Sequence, residues 1–218
     1  MSVSDFMTTT LITVTPDVRI NDAVDLMRTH KIHRLPVVDN GRLVGLVTQG
    51  IIEAAMPSKA TSLSVYEMNY LLNKTTVKDV MEKSVLTIAP AASLEDAIYK
   101  MRQYNIGVLP VLDAQGHLQG IITNNDIFDA FLDLAGYNAG GTQVAVKTEK
   151  DEVGFLAKVG AALAENKYSI LTLVVNRRAN EQIIQIHVAA TDPQGVKTAL
   201  EAAGFEVVQA ELAKNETD

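Results

Sequence analysis

Residues 35–48 read LPVVDNGRLVGLVT, and residues 109–123 read LPVLDAQGHLQGIIT. In the first stretch two apolar runs flank Asn40-Gly41, the dipeptide that suits a two-residue type I′ hairpin. The second stretch has the same frame with a turn one residue longer, Asp113-Ala114-Gln115-Gly116. The likeness extends in both directions. At a constant offset of 74, Asp5, Met7, Thr13 and Pro16 meet Asp79, Met81, Thr87 and Pro90, while Asp22, Ala23, Met27 and Arg28 meet Asp96, Ala97, Met101 and Arg102. Beyond the inserted residue, Gly45, Thr48 and Ile52 meet Gly120, Thr123 and Ile127. Chance does not hold that register over two such lengths, so the chain contains an internal duplication.

Each copy has one grammar. A short strand, ITV at 12–14 or LTI at 86–88, runs into a turn at Pro16 or Pro90. A helix follows, in which Ala23, Val24 and Met27, or Ala97, Ile98 and Met101, share a face at helical spacing. Ser93, with Glu95 and Asp96 in the next turn, reads as a helix start. Two strands and a final helix from near Thr48 or Thr123 complete a β-α-β-β-α unit. One copy has little core of its own, and two packed together bury a shared face. The copies are placed at 1–56 and 79–135. Residues 57–78, with Val65, Met68, Leu71 and Leu72 at helical spacing, read as a helical connector.

Glycines at 136–141 mark a linker before a different segment, 142–214, with a tail at 215–218. Strand TQVAVKT, helix GFLAKVGAALAEN, strands ILTLVVN and QIIQIHVAA, helix PQGVKTALEAAGF and strand EVVQAEL give the order βαββαβ. That order predicts a ferredoxin-like layer of strands with two helices on one side. The fold class is thus mixed, α+β with α/β character: a pseudo-two-fold pair of repeats followed by a βαββαβ domain.

The chain has 218 residues, with 19 basic against 26 acidic side chains and a formal charge of −7. It lacks the broad basic face that nucleic-acid binding needs, although a local cluster can still hold a small anion. There are no cysteines, hence no disulfide, thiolate metal site or cysteine nucleophile. The N-terminus has no basic region or apolar core of a signal peptide, and no apolar run approaches the ~20 residues of a membrane helix. These features predict a cytoplasmic protein without membrane insertion. His30 and His33 have H-x-x-H spacing but no supporting carboxylate, so no metal site is expected. No nucleophile–base pairing, P-loop or metal cluster appears, so no catalytic residues are assigned and catalysis is not expected.

The adjacent pair His33-Arg34, just before a strand-like apolar run, has two readings: a solvated pair at a helix-to-strand turn, or an anion clamp. The guanidinium fork matches phosphate oxygens, and histidine adds a hydrogen bond. The second copy has Gly107-Val108 at these positions.

The shared frame, T-apolar-x-P followed by LPV-apolar-D and G-apolar-apolar-T-x-x-D, resembles a tandem pair of CBS motifs over about residues 1–135. The resemblance implies a module that binds adenine nucleotides in regulatory proteins. It implies that Thr123 helps hold phosphate at a helix start and that Asp126 accepts from the ribose hydroxyls. The competing reading is that Thr-x-x-Asp only caps the helix. In the first copy Ile51 stands where that carboxylate is expected, which would leave a ribose unpaired there. His-Arg pairs of this kind resemble those of the AMP-activated kinase gamma subunit. In a two-fold pair of repeats, this places His33 and Arg34 opposite Asp126, as one site divided between the copies. Thr87, Ile88, Pro90, Ile106, Leu109 and Pro110 are expected either to form an adenine slot or to be plain core.

The segment DEVGFLAKV at 151–159, with YSIL opening the next strand, is similar to an ACT domain. That resemblance implies pairing between chains and an amino-acid effector site near Asp151, Gly154, Leu156 and Ile170. Val153 departs from the proline common before that glycine. CBS pairs followed by an ACT domain resemble the acetoin-utilisation AcuB type. The expectation is a regulatory, ligand-sensing homodimer or higher homo-oligomer. It takes AMP, ADP, ATP or cyclic di-AMP as ligand, needs no cofactor, and acts on a regulated enzyme or transporter. The alternatives are an amino-acid sensor with a structural CBS pair, or a scaffold that binds neither.

Overall fold

The computed structural model describes residues 1–55, 74–137, 139–148, 153–178 and 181–213. Most of the expected connector, Asp151 and the 215–218 tail lie outside the described residues. By its contacts the chain forms two compact units, Met1–Ile127 and Phe128–Asp218.

In the first unit the duplication is visible element by element. Helix α1 (Ile20–His30) and its counterpart α4 (Leu94–Tyr104) each end on a left-handed residue, Lys31 at φ 53° and Asn105 at φ 52°. Ser93 Oγ accepts from the Asp96 N–H at 3.0 Å, and the Asp96 carboxylate accepts from the Ser93 N–H at 3.2 Å, a complete capping box. The helices bury Ile20, Ala23 and Met27, or Leu94, Ala97 and Met101. Val24 and Ile98, expected on that face, are 40% and 37% exposed. The apolar stripe is narrower than the spacing suggested.

Strands β1 (Arg34–Asp39) and β2 (Arg42–Thr48) form one hairpin, and β3 (Val108–Leu112) and β4 (Leu118–Thr123) the other. Asn40 and Gly41 both have positive φ, 47° and 80°, as a type I′ turn requires. The second turn absorbs its extra residue around Asp113, whose carboxylate accepts the N–H groups of His117 at 2.8 Å and Gln115 at 2.9 Å. These donors, the His117 N–H foremost, hold the Asp113 carboxyl below the usual carboxylate range. The strands expected at 12–14 and 86–88 shrink to single parallel bridges, Val14 to Val37 and Ile88 to Val111. Pro16 and Pro90 follow two residues later, and a residue without an N–H cannot extend a ladder. The repeats close with α2 (Gln49–Ala55) and α5 (Asn124–Leu134).

The feature that shapes this unit is a crossing of leading segments. A short 3-10 turn at Val3–Asp5 and helix α3 (Val77–Val80) open the two repeats, each with its own capping box. The first lies on the second repeat: the Val3 N–H donates to the Ala92 carbonyl at 2.8 Å, and Thr8 exchanges backbone bonds with Ile121 at 2.9 and 3.0 Å. The second lies on the first repeat, through Val77 to Val18 at 2.8 Å and Glu82 with Leu46 at 2.9 Å. Gly45 and Gly120 make the approach possible. A Cβ at Gly120 would stand 2.9 Å from the Thr8 carbonyl, and one at Gly45 would stand 3.0 Å from that of Glu82. Leu35, Val37, Val47, Leu109, Val111 and Ile122 are fully buried in the core that results.

The second unit carries a four-stranded antiparallel sheet in the order β6-β7-β5-β8, from β5 (Thr142–Thr148), β6 (Ile170–Arg178), β7 (Glu181–Val188) and β8 (Glu206–Leu212). Helices α6 (Phe155–Glu165) and α7 (Pro193–Ala202) complete the βαββαβ order read from the sequence. Val144, Val146, Ile184, Ile186 and Val188 alternate toward one face and pack with Val159, Leu163, Val196 and Leu200. Asp192 caps α7 by accepting the Gly195 N–H at 2.9 Å. The units divide inside α5, upstream of the glycine-rich 136–141 stretch. Ala135, placed by sequence at the end of the second repeat, lies with the sheet, its carbonyl accepting from Thr172 Oγ1 at 3.4 Å. The Gly140 carbonyl takes the Nε2–H of buried His187.

Candidate functional site

Because the leading segments cross, the first unit holds two clefts related by the duplication, each built from both repeats. One is lined by Thr8, Thr10, Leu11 and Ile12 from the first leading segment, by Lys31, Ile32, His33 and Arg34 from the start of β1, and by Ile121, Thr123, Asn125 and Asp126 around the start of α5. The other is lined by the corresponding Glu82, Ser84, Val85 and Leu86, by Ile106, Gly107 and Val108, and by Leu46, Thr48, Gly50 and Ile51 around the start of α2. His33 and Arg34 also reach this second cleft.

The Asp126 cleft brings together the pair that sequence placed in one divided site. Asp126 is half-buried, and its Oδ2 accepts from the Thr123 N–H at 2.6 Å and from Thr123 Oγ1 at 2.7 Å. Asp126 therefore caps the helix, and capping occupies only one of its oxygens. The other, Oδ1, accepts from Thr8 Oγ1 at 3.2 Å, longer than the usual 2.7–2.8 Å of a hydroxyl bond. A ligand hydroxyl can displace so long a contact. His33 Nδ1 lies 2.8 Å from Gln49 Oε1. The Gln49 amide is oriented by donating Nε2–H to Glu53 at 2.8 Å, so Nδ1 is the nitrogen that donates to Gln49 and Nε2 is the one left to meet a ligand. Arg34 forms no ion pair among the described residues.

The expected adenine slot is not assembled around this site. Leu109 and Pro110 are buried, and Ile88 is 8% exposed. The backbone edges at Thr87 and Ile88 are spent inside the protein. Lys100 Nζ donates to the Thr87 carbonyl at 2.7 Å, and Ile88 bonds Pro110 and Leu112, each at 3.0 Å. Pro90 lines neither cleft, its carbonyl accepting the Ser4 N–H at 3.0 Å. Of the six residues only Ile106 lines a cleft, and that cleft holds Ile51 instead of Asp126. The apolar wall facing Asp126 is Leu11, Ile12, Ile32 and Ile121. Sequence reasoning missed Thr8, Leu11 and Ile12, although the repeat pairs them with Glu82, Val85 and Leu86. The crossing is a long-range pairing that local spacing does not carry.

The cleft with the weaker chemistry is the larger: about 570 Å³ against about 250 Å³. Gly50 stands where the Asp126 cleft has Asn125, and the missing side chain leaves space. Polar groups at defined positions orient a ligand, so the Asp126 cleft is the better candidate despite its size. In the second unit Gly154, at φ 87°, and Leu156 line a shallow cavity of about 240 Å³ with Val153, Phe155, Val175, Arg177, Gln182 and Ile184. Ile170 is 38% exposed and does not line it. Among the described residues no His, Cys, Asp or Glu cluster could hold a metal ion, and no helix is long and apolar enough to cross a membrane.

The CBS-domain family model matches residues 3–57 and 77–133, together just over half of the chain. The chain belongs to the CBS-domain family. The ACT-domain model matches residues 142–205, over the ferredoxin-like sheet, so the chain is a CBS pair with a C-terminal ACT domain. Solved structures agree over the CBS pair. The AMP complex of CBSX2, a CBS-pair protein of Arabidopsis thaliana, is 34% identical over 61% of this chain and 96% of its own, with a TM-score of 0.50. A Vibrio cholerae structure named for an acetoin utilization protein, AcuB, is 33% identical over 62% of this chain and 92% of its own, with a TM-score of 0.52. The CBS pair of protein MJ0100, in complex with 5′-methylthioadenosine and S-adenosyl-L-methionine, is 30% identical over 60% of this chain and 95% of its own, with a TM-score of 0.50.

Proposed function

We propose that this CBS–ACT chain is a regulatory sensor of an adenosine-containing anion, with AMP, ADP, ATP and cyclic di-AMP as candidates, bound in the Asp126 cleft. One observation carries the reading: Asp126 and Arg34 come from different repeats and line a single cavity. Asp126 Oδ1 accepts from the ribose hydroxyls in place of Thr8. Leu11, Ile12 and Ile32 flank the base. The phosphate meets Arg34 and Lys31, and His33 donates to it when Nε2 also carries a proton. A carboxylate facing vicinal hydroxyls and a guanidinium facing phosphate are each matched in geometry and charge. The ligands in the CBSX2 and MJ0100 structures share an adenosine group, which supports the ligand class. Methylthioadenosine has no phosphate, and Arg34 favours an anion over such a ligand.

The role is regulatory, not catalytic. Ligand between the repeats shifts the population of the pair only as far as it prefers one arrangement. The ACT domain serves dimerisation in a cytoplasmic homo-oligomer that acts on a partner enzyme or transporter. The Gly154 cavity gives the second reading, an amino-acid effector site, with Arg177 the cation on its wall. A thermal-shift panel of adenine nucleotides, cyclic dinucleotides, S-adenosyl-L-methionine and amino acids decides among these. A ligand at one hundred times its dissociation constant adds about 2.7 kcal/mol, a shift of roughly 5–10 °C for a chain of this size. Phosphate-bearing adenine ligands are expected to give it. Shifts with amino acids alone would move the function to the ACT domain.

A further inference from the structure

Arg34 lines both clefts of the CBS pair, and the sequence around its seat explains how. In the duplication His33-Arg34 corresponds to Gly107-Val108. A Cβ placed on Gly107 would stand 2.8 Å from the Arg34 guanidinium and 3.1 Å from the Asn124 amide. The second repeat thus has a glycine where the first has histidine, and the space is filled by the first repeat's arginine. Among the described residues, Arg34 is, apart from His33, the only cationic side chain on the wall of the Ile51 cleft, which also carries the carboxylate of Glu82. The Asp126 cleft holds Arg34 together with Lys31 and His33.

We propose that Arg34 is one phosphate anchor shared by two clefts, so that a phosphate-bearing ligand in one weakens binding of a second in the other. This rests on the composite-site reading above and adds to it a rule of occupancy. The first equivalent takes the Asp126 cleft, where Lys31 and the ribose acceptor assist. Arg34 is then committed, and the Ile51 cleft is left with Glu82 facing any incoming anion. An uncharged nucleoside makes no demand on Arg34 and escapes the rule.

Calorimetric titration of the full chain with AMP and with adenosine tests this, in the wild type and in Ile51→Asp, which gives both clefts a ribose acceptor. The variant is expected to bind two adenosine molecules per chain with similar affinity. With AMP it is expected to bind one tightly and a second at least tenfold more weakly. Adding Arg34→Ala should reduce that difference to the part that Lys31 supplies and leave two weak AMP events. Simple repulsion between two bound phosphates would survive the arginine's removal, and an undiminished difference would overturn the proposal. Two equal AMP events with Arg34 present would also overturn it, while leaving the Asp126 site standing. Binding of neither compound by wild type or variant would remove the composite site and the shared anchor together. If aspartate at this half-buried position unfolds the chain, Ile51→Asn supplies an uncharged acceptor and is read in the same way.

Discussion

Asp126→Ala is expected to lower AMP affinity about 100-fold. A hydrogen bond to a charged group contributes about 1.5–3 kcal/mol, two ribose hydroxyls share this carboxylate, and about 2.7 kcal/mol is a factor of 100. The same residue caps α5 through the Thr123 N–H at 2.6 Å, and losing a cap costs about 1 kcal/mol of stability. Two effects must therefore be separated. Asp126→Asn keeps an acceptor for the Thr123 N–H while removing the charge, and is expected to lose about tenfold in affinity with little change in melting temperature. Titration calorimetry and thermal melts on both variants measure the two effects independently. Affinity for AMP within threefold of wild type in Asp126→Ala would mean that the carboxylate only caps the helix.

Leu109→Ala is expected to cost stability and leave ligand affinity intact in the folded protein. Leu109 is 0% exposed, and removing a fully buried leucine side chain costs about 2–5 kcal/mol. For a chain of this size each kcal/mol lowers the melting temperature by roughly 2–4 °C. Leu11→Ala should behave in the opposite way. Leu11 is half-buried on the cleft wall, so truncation leaves the core intact and removes about 1–2 kcal/mol of contact with the base. An unchanged melt with weakened AMP binding in Leu109→Ala would return that residue to the ligand.

The contrast between Leu11 and Leu109 shows what the sequence carried and what it did not. The offset of 74 between Met27 and Met101, or between Pro36 and Pro110, is local information. It places helices, hairpins and turns almost to the residue, because each element's burial depends on its own periodicity. The βαββαβ order likewise predicts two helices on one side of the ACT sheet. The crossing of Val3–Thr8 and Val77–Glu82 onto opposite repeats depends on bonds such as Thr8 to Ile121, between residues more than a hundred positions apart. No spacing rule reports that exchange, so Leu11 and Ile12 are not legible as a cleft wall in the sequence. Arg34 and Asp126 could still be paired, because two-fold symmetry alone puts the starts of β1 and α5 on opposite sides of one cleft. Gly107 was legible only as an absence, a missing histidine, until the Arg34 guanidinium was found against it.

A crystal structure of the full chain grown with AMP tests the central claim most directly. The ribose hydroxyls are predicted within hydrogen-bond distance of Asp126 Oδ1, with Thr8 displaced and the phosphate on Arg34. AMP seated against Ile51, or found only in the ACT domain beside Gly154, would contradict it.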